Sequence, residues 1–269
     1  MELRDFALGV VLAESLEGKL SRPRGRITDN HPGVALRIEQ PGRPENLRIS
    51  PARAVRVPSK MGMVDPRQRV RILHAFANHE LQAVELFAWA ILAFPDAPGD
   101  FREGLKLRTI EEQRHTLLYQ ARLGELGVRL GEFPVTGYFW SKSSTWTTPL
   151  RFICAMGLTF ENANLDHTAE YAAAARAAGD ERTARLLERV GEDEIGHVRF
   201  AVKWLERWKA PGESLWSAYS SSLSWPLRGA LARGKDFRAE ERRRAGLDEE
   251  FIASLARADR GDPLKRPGS

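Results

Sequence analysis

The chain carries one short pattern twice, as EQRH at residues 112–115 and as EIGH at residues 194–197. In an α-helix, residues three positions apart lie on the same face. Each stretch therefore directs one carboxylate and one imidazole at a single point. This pairing is typical of a helix that holds a metal ion.

A lone glutamate precedes each motif at almost the same distance. Glu80 lies 32 residues before Glu112, and Glu161 lies 33 residues before Glu194. Four carboxylates and two imidazoles form the ligand set of a carboxylate-bridged pair of iron or manganese ions in a four-helix bundle. We therefore expect two iron ions, or iron and manganese, as cofactor. The predicted metal ligands are Glu80, Glu112, His115, Glu161, Glu194 and His197. The alternative is a metal-free bundle with two buried, salt-bridged histidines.

The composition is that of an ordinary globular protein, with 42% hydrophobic and 29% charged residues. No apolar run approaches the roughly 18 residues that span a bilayer. Glu2 and Asp5 stand where a signal peptide would carry basic residues. The single cysteine, Cys154, excludes an internal disulfide and is expected in the core. We expect a cytoplasmic protein with no membrane partner. The net charge of +5 leaves nucleic acid open as a partner.

Proline, glycine and capping residues predict three segments. Residues 1–64 would form an N-terminal helix over 3–20 and a proline-rich arm. Residues 65–212 would form the metal-binding bundle, and residues 213–269 a helical tail with helices at 213–233 and 248–258, fraying over 261–269. The bundle helices are predicted over 66–94, 101–126, 149–178 and 181–209. Their predicted N-caps are Asp65, Asp100, Thr148 and Asp180.

The lengths of the connections predict how these helices are arranged. Short turns join the first helix to the second and the third to the fourth, whereas residues 128–148 make a long connection between the two pairs. Two helical hairpins joined by one long crossover are typical of an all-α, ferritin-like four-helix bundle.

Four stretches make the chain resemble a known family. Residues 73–86 (LHAFANHELQAVEL) resemble the ferritin-like DUF455 family, as do 3–7 (LRDFA), 16–20 (LEGKL) and 41–44 (PGRP). The likeness covers most of the chain and implies the ferritin-like fold. The double motif is more distantly similar to di-iron oxygenases, ribonucleotide reductase small subunits and a tRNA hydroxylase. In such enzymes an acid before the motif glutamate often orients a ligand histidine, which implies this role for Glu111 and Asp193.

A second pair of acids, Glu85 and Asp166, also repeats between the halves. Each lies five residues after Glu80 or Glu161, about 140° round a helix, and so points away from the same metal. We interpret Glu85 and Asp166 as polar contacts between helices. The remaining histidines lie off the metal face or in the arm and are interpreted as packed, hydrogen-bonded or surface side chains: His31, His74, His79 and His167.

Polar residues beside the predicted ligands indicate a pocket. The candidate catalytic residues, predicted on the inner side of their helices, are Arg108, Tyr119, Asn164 and Thr168. An oxygenase needs such donors to orient a substrate and oxygen species, whereas an iron store does not. The sequence therefore favours an oxygen-dependent oxidase or hydroxylase that uses dioxygen or peroxide and an unknown small substrate. A ferroxidase or structural metal protein, a tRNA-modifying hydroxylase, and assembly as a homodimer stay open.

Overall fold

The computed structural model describes residues 1–23 and 25–258. Over the described residues the protein is 67% helical and contains no β-strand, which confirms the all-α class. None of the described helices combines the length and the apolar character needed to cross a bilayer. The described residues form two compact units, one within Met1–Ser144 and one within Thr145–Ser269, and the border between them falls inside the long connection. The limits at 64 and 212 stay a prediction.

The first unit begins with two short helices, α1 (Leu3–Leu12) and α2 (Leu16–Leu20), where the sequence predicted one helix over 3–20. That prediction was wrong because α1 ends at Leu12 and Ser15 caps a separate helix. The side chain of Ser15 accepts a hydrogen bond from the Gly18 amide, at 3.1 Å, and so starts a new helix. The helical elements in the described part of the arm that follows are 3₁₀ turns, at Glu45–Leu47, Ala52–Ala54 and Lys60–Val64.

A long helical hairpin forms the body of the first unit, from α3 (Pro66–Ala93) and α4 (Gly99–Glu125). Asp65 caps α3 as predicted, accepting a hydrogen bond from the Arg67 amide at 2.8 Å. Helix α3 is buried along nearly all of its length because both α4 and α1 pack against it. The predicted cap at Asp100 was wrong: α4 begins at Gly99, after Pro98, and Asp100 lies in its first turn.

A second hairpin forms the body of the second unit. One arm runs through α5 (Pro149–Ala155), a π-helical turn (Met156–Glu161) and α6 (Asn162–Ala177), and the other is α7 (Glu181–Trp208). Thr148 caps α5, accepting from the Arg151 amide at 3.2 Å, and Asp180 caps α7, accepting from the Thr183 amide at 3.0 Å. Both caps were predicted, whereas the π turn was not.

The tail of the second unit is more broken than predicted. It contains α8 (Leu215–Ser222), a 3₁₀ turn (Gly229–Ala232), α9 (Ala239–Arg244) and α10 (Glu249–Arg257). The helix expected over 213–233 therefore ends at Ser222, and α9 had no counterpart in the prediction. The fraying predicted over 261–269 lies outside the described residues.

Candidate metal centre

The first unit brings three predicted ligands together, here called the first half-site: Glu80 on α3, with Glu112 and His115 on α4. Nδ1 of His115 lies 3.5 Å from a carboxylate oxygen of Glu80 and 3.5 Å from one of Glu112. One potential ligand atom from each residue lies within 4.8 Å of the other two. All three residues are buried. Adjacent helices of one hairpin thus direct two carboxylates and an imidazole at one point.

The second unit repeats this set as the second half-site: Glu161 at the end of the π turn, with Glu194 and His197 on α7. Nδ1 of His197 lies 3.2 Å from a carboxylate oxygen of Glu194 and 3.8 Å from one of Glu161. Here too, one potential ligand atom from each residue lies within 4.8 Å of the others, and all three residues are buried.

Burial and repulsion change the acidity of both half-sites. Loss of hydration, followed by repulsion from Glu112, raises the pKa of Glu80 from 4.5 to about 8. In the second half-site, burial and then repulsion from Glu161 raise the pKa of Glu194 well above its usual value. Two carboxylates held together out of water are stabilised either by a proton or by a cation.

The donor set fits a metal ion better than it fits a proton alone. Oε2 of Glu194 lies 3.2 Å from Nδ1 of His197. Among the described residues, however, this oxygen has no hydrogen-bond partner. A buried carboxylate oxygen and an imidazole nitrogen that converge at this distance, without a hydrogen bond of good geometry between them, are arranged as the ligands of one cation are. Carboxylate oxygen and imidazole nitrogen are the donors that iron and manganese take in carboxylate-bridged sites.

A local change of helix type places Glu161. The π-helical turn Met156–Glu161 inserts one extra residue into the path from α5 to α6. Within this turn, Gly157 lies so close to α7 that a methyl group at that position would overlap the Ala201 side chain. The turn therefore lets the backbone come close to α7 while Glu161 lies at the end of the bulge, where π turns are often functional.

Two residues predicted for different roles contact each other on α4. The Nε atom of Arg108, expected in the pocket, lies 2.7 Å from a carboxylate oxygen of Glu111, expected to orient a histidine. The Arg108 side chain is 15% exposed and that of Glu111 is 38% exposed, so Arg108 is largely buried while Glu111 reaches solvent. The charge of Arg108 is thus balanced by Glu111, and both proposed roles remain predictions.

The other predicted pocket residues are placed differently in the two units. Tyr119 is buried one turn after His115, and its ring meets Phe76 edge-on at 6.2 Å. Nδ2 of Asn164 donates to Oε1 of Glu194 at 3.3 Å, so this amide contacts a candidate ligand directly. The hydroxyl of Thr168 donates to the Asn164 carbonyl at 2.6 Å, which ties it to the helix backbone. Asp193 is half-buried beside Glu194.

Glu85 and Asp166, the two acids that the sequence excluded from the metal ligands, are buried and pair with cations outside the hairpins. Glu85 contacts Arg43 at 2.8 Å and Lys19 at 3.1 Å. Asp166 contacts Arg242 at 2.7 Å. The sequence identified the two acids as polar contacts but missed these three cations, because they lie far from their partners along the chain.

The histidines outside the motifs occupy other environments. Nε2 of His74 accepts a hydrogen bond from the Gly131 amide at 2.8 Å, and burial lowers the pKa of His74 to about 4. His79 is half-buried against Phe139. His167 packs beside Gly234, and His31 is exposed.

The single cysteine, Cys154, lies in the core as expected. It is buried, and burial raises the pKa of its thiol to about 12.

Comparison with known proteins gives one match. No curated protein and no solved structure matches the chain. A family model, described as a protein of unknown function (DUF455), matches residues 11–253, a span that contains both half-sites and both hairpins. The chain therefore belongs to the DUF455 family.

Proposed function

We propose that this protein is a di-metal carboxylate protein, with iron or iron and manganese, that catalyses an oxygen-dependent oxidation or hydroxylation. The observation that carries the proposal is the repetition of one buried ligand set, two carboxylates and one imidazole, in each unit. In a ferritin-like bundle, the fold that the resemblance implies, six ligands of these types serve a two-metal centre. The matched spacing of the motifs in the two hairpins supports this fold.

When bound, a pair of such ions supplies the electrons for reducing dioxygen or peroxide. The chain supplies the rest of the chemistry through burial and donor placement. Five of the six ligands are at most 3% exposed and Glu80 is 6% exposed, which keeps bulk water from the carboxylates. The Asn164 amide holds one oxygen of Glu194, and the Tyr119 phenol lies one turn from His115. Fixed donors beside a reacting centre orient the groups that react there.

The basic charge of the chain does not favour the tRNA-modifying alternative. Arginines of the second unit are paired with carboxylates on the surface. Arg176 binds Glu181 and Glu188, Arg243 binds Glu249, and Arg244 binds Glu192. Each pair reduces the charge that a phosphate backbone would meet.

The reaction of iron-loaded protein with oxygen tests the proposal. Protein loaded with Fe²⁺ without oxygen should bind about two ions per chain. It should then consume dioxygen faster than the same concentration of free Fe²⁺, without taking up further iron. His115→Ala and His197→Ala serve as matched controls and should lose this reaction. Continued uptake to many ions per chain would instead identify an iron-storing ferroxidase. A rate equal to that of free iron would overturn the enzymatic function.

A further inference from the structure

Arg43, a buried arginine of the N-terminal arm, binds side chains of α3 on both sides of Glu80. The Nη1 atom of Arg43 donates to Oδ1 of Asn78 at 3.0 Å. Its Nε and Nη2 atoms donate to the two oxygens of Glu85, at 2.9 and 2.8 Å. Asn78 lies two residues before Glu80 and Glu85 five residues after it. One rigid guanidinium thus spans the segment of α3 that carries this ligand.

Glu85 is held by two further donors. Nζ of Lys19, on α2, lies 3.1 Å from Oε1 of Glu85 and also donates to the carbonyls of Val10 and Val11. The indole N–H of Trp140 donates to Oε2 of Glu85 at 2.8 Å. The carboxylate of Glu85 is therefore fully engaged, and α3 is fixed at this level by segments that lie outside the hairpin.

The second unit has a corresponding arginine in its tail. Nη1 and Nη2 of Arg242, on α9, donate to the two oxygens of Asp166 at 2.7 and 2.9 Å. Nη2 also donates to the carbonyl of Asn162 at 3.2 Å, directly after Glu161. Asp166 accepts two more hydrogen bonds, from the amides of Gly234 and Arg238, both at 2.8 Å. The guanidinium thus fixes the point where the π turn meets α6.

We propose that Arg43 and Arg242 are positioning residues, each of which holds the lone glutamate of one half-site in place for metal binding. This inference rests on the proposed function. Two carboxylates in one half-site repel each other, so the helix that carries the lone glutamate must be held against displacement. A forked guanidinium bound at two places resists such movement better than a point charge does. Partners that orient metal ligands typically contribute about 10- to 100-fold to affinity.

A purely structural role makes a different prediction, and Arg102 provides the control. Arg102 is as buried as the two positioning arginines, and it binds Asp29 with two donors at 2.6 and 2.8 Å. It also donates to the carbonyls of Ile91 and Phe94. These lie 11 and 14 residues beyond Glu80, or about 16–21 Å along α3. Loss of the Arg102 fork should weaken the fold and leave the half-site intact.

The test is a Co²⁺ titration of metal-free R43K, R242K and R102K, followed by the visible absorption of the bound ion. Lysine keeps the charge and removes the fork. In R43K and in R242K, the dissociation constant of at least one ion should rise about 10- to 100-fold. R102K should bind Co²⁺ with the dissociation constant of the parent. The thermal midpoint of metal-free R102K should nevertheless fall, as those of R43K and R242K do.

The remaining outcomes contradict either the positioning role or the metal site. Parental affinity in R43K and R242K, or an equal loss in R102K, overturns the positioning role while the metal site stands. A parent protein that binds no Co²⁺ removes the proposed function and the positioning role with it. If R43K does not fold, W140F removes a single donor to Glu85 and should weaken Co²⁺ binding in the same direction. Unchanged affinity in W140F then overturns the role of this contact network.

Discussion

The two half-sites contain the same three residue types but are built on different backbones. Glu80 projects from the regular α-helix α3, whereas Glu161 ends a π turn that brings its segment of backbone close to α7. In both units, burial and repulsion between the paired carboxylates raise a carboxyl pKa above its usual value. The ligand types are thus set by sequence, while the local backbone that carries the lone glutamate differs between the two units.

The largest effect should come from removing one imidazole from either half-site. His115→Ala and His197→Ala should each weaken binding of one ion by more than the 10- to 100-fold typical of an outer partner. The reason is that two buried carboxylates then remain without their neutral donor. Elemental analysis after dialysis against a weak chelator measures the loss. His74→Ala, which removes a buried histidine outside the half-sites, should keep the parental metal content.

If only one of the two motif variants lost metal, the comparison would change. The two half-sites would then be unequal in function as well as in backbone, and the variant that kept its metal would identify a non-binding half.

Removal of the metal should make stability depend on pH. The pKa of Glu80 is about 8 in the folded protein and 4.5 in the unfolded chain, so the folded state holds more protons between these values. The contribution of this group is fully present below pH 4.5 and is lost as pH rises to about 8. At about 1.4 kcal/mol per pKa unit, the loss amounts to several kcal/mol. Urea unfolding of metal-free protein at pH 5.5 and pH 8 measures it.

Glu80→Gln is the matched control for this dependence. The neutral amide cannot lose a proton, so the metal-free variant should be more stable than the parent at pH 8 and should show a smaller slope with pH. Glu194→Gln makes the same test in the second unit. Equal slopes in the parent and both variants would contradict the electrostatic account.

A smaller effect is expected at the π turn. Gly157→Ala places a methyl group against Ala201 and should cost about 1–3 kcal/mol, the usual range for overpacking a core. Gly196→Ala, in the same unit, meets no atom within 4 Å and should stabilise α7 by about 0.5–1 kcal/mol. Thermal unfolding compares the two variants. If Gly157→Ala left the thermal stability unchanged, the close approach to α7 would not require glycine.

The smallest effects should come from the polar neighbours. Asn164→Ala removes one hydrogen bond to Glu194, worth about 1 kcal/mol, or about fivefold in a rate or affinity. Tyr119→Phe removes a phenol in the other unit. Both variants should keep their metal and change the rate of a step after mixing with oxygen, measured by stopped-flow absorption. If both variants match the parent in iron loading and in every later step, the proposed substrate pocket is contradicted. A ferroxidase or structural function would then fit the results better.

Local signals in the sequence predicted much of the helical framework. Asp65 before Pro66 and Thr148 before Pro149 each begin a helix as expected, because a side-chain cap and a proline at the first helical position act within a few residues. The three-residue spacing of the motifs likewise predicts which side chains share a face. Helical phase also separates Glu80 from Glu85, and the structure pairs Glu85 with the cations of the N-terminal segment.

Features that depend on distant contacts were not predictable from these signals. The π turn has no local sequence signature, since it reflects how closely Gly157 approaches α7. Arg43 and Arg242 lie 42 and 76 positions from their carboxylates, and nothing near them in sequence identifies the partner.

The metal content of the parent protein decides whether the two half-sites hold a pair of ions. Protein purified without oxygen, supplied with Fe²⁺ and freed of loosely bound metal should retain about two ions per chain by elemental analysis. A variant with both His115→Ala and His197→Ala, treated in parallel, should retain almost none. A parent protein that holds no more metal than this double variant would contradict the account and would leave two buried, proton-sharing clusters in a metal-free helical protein.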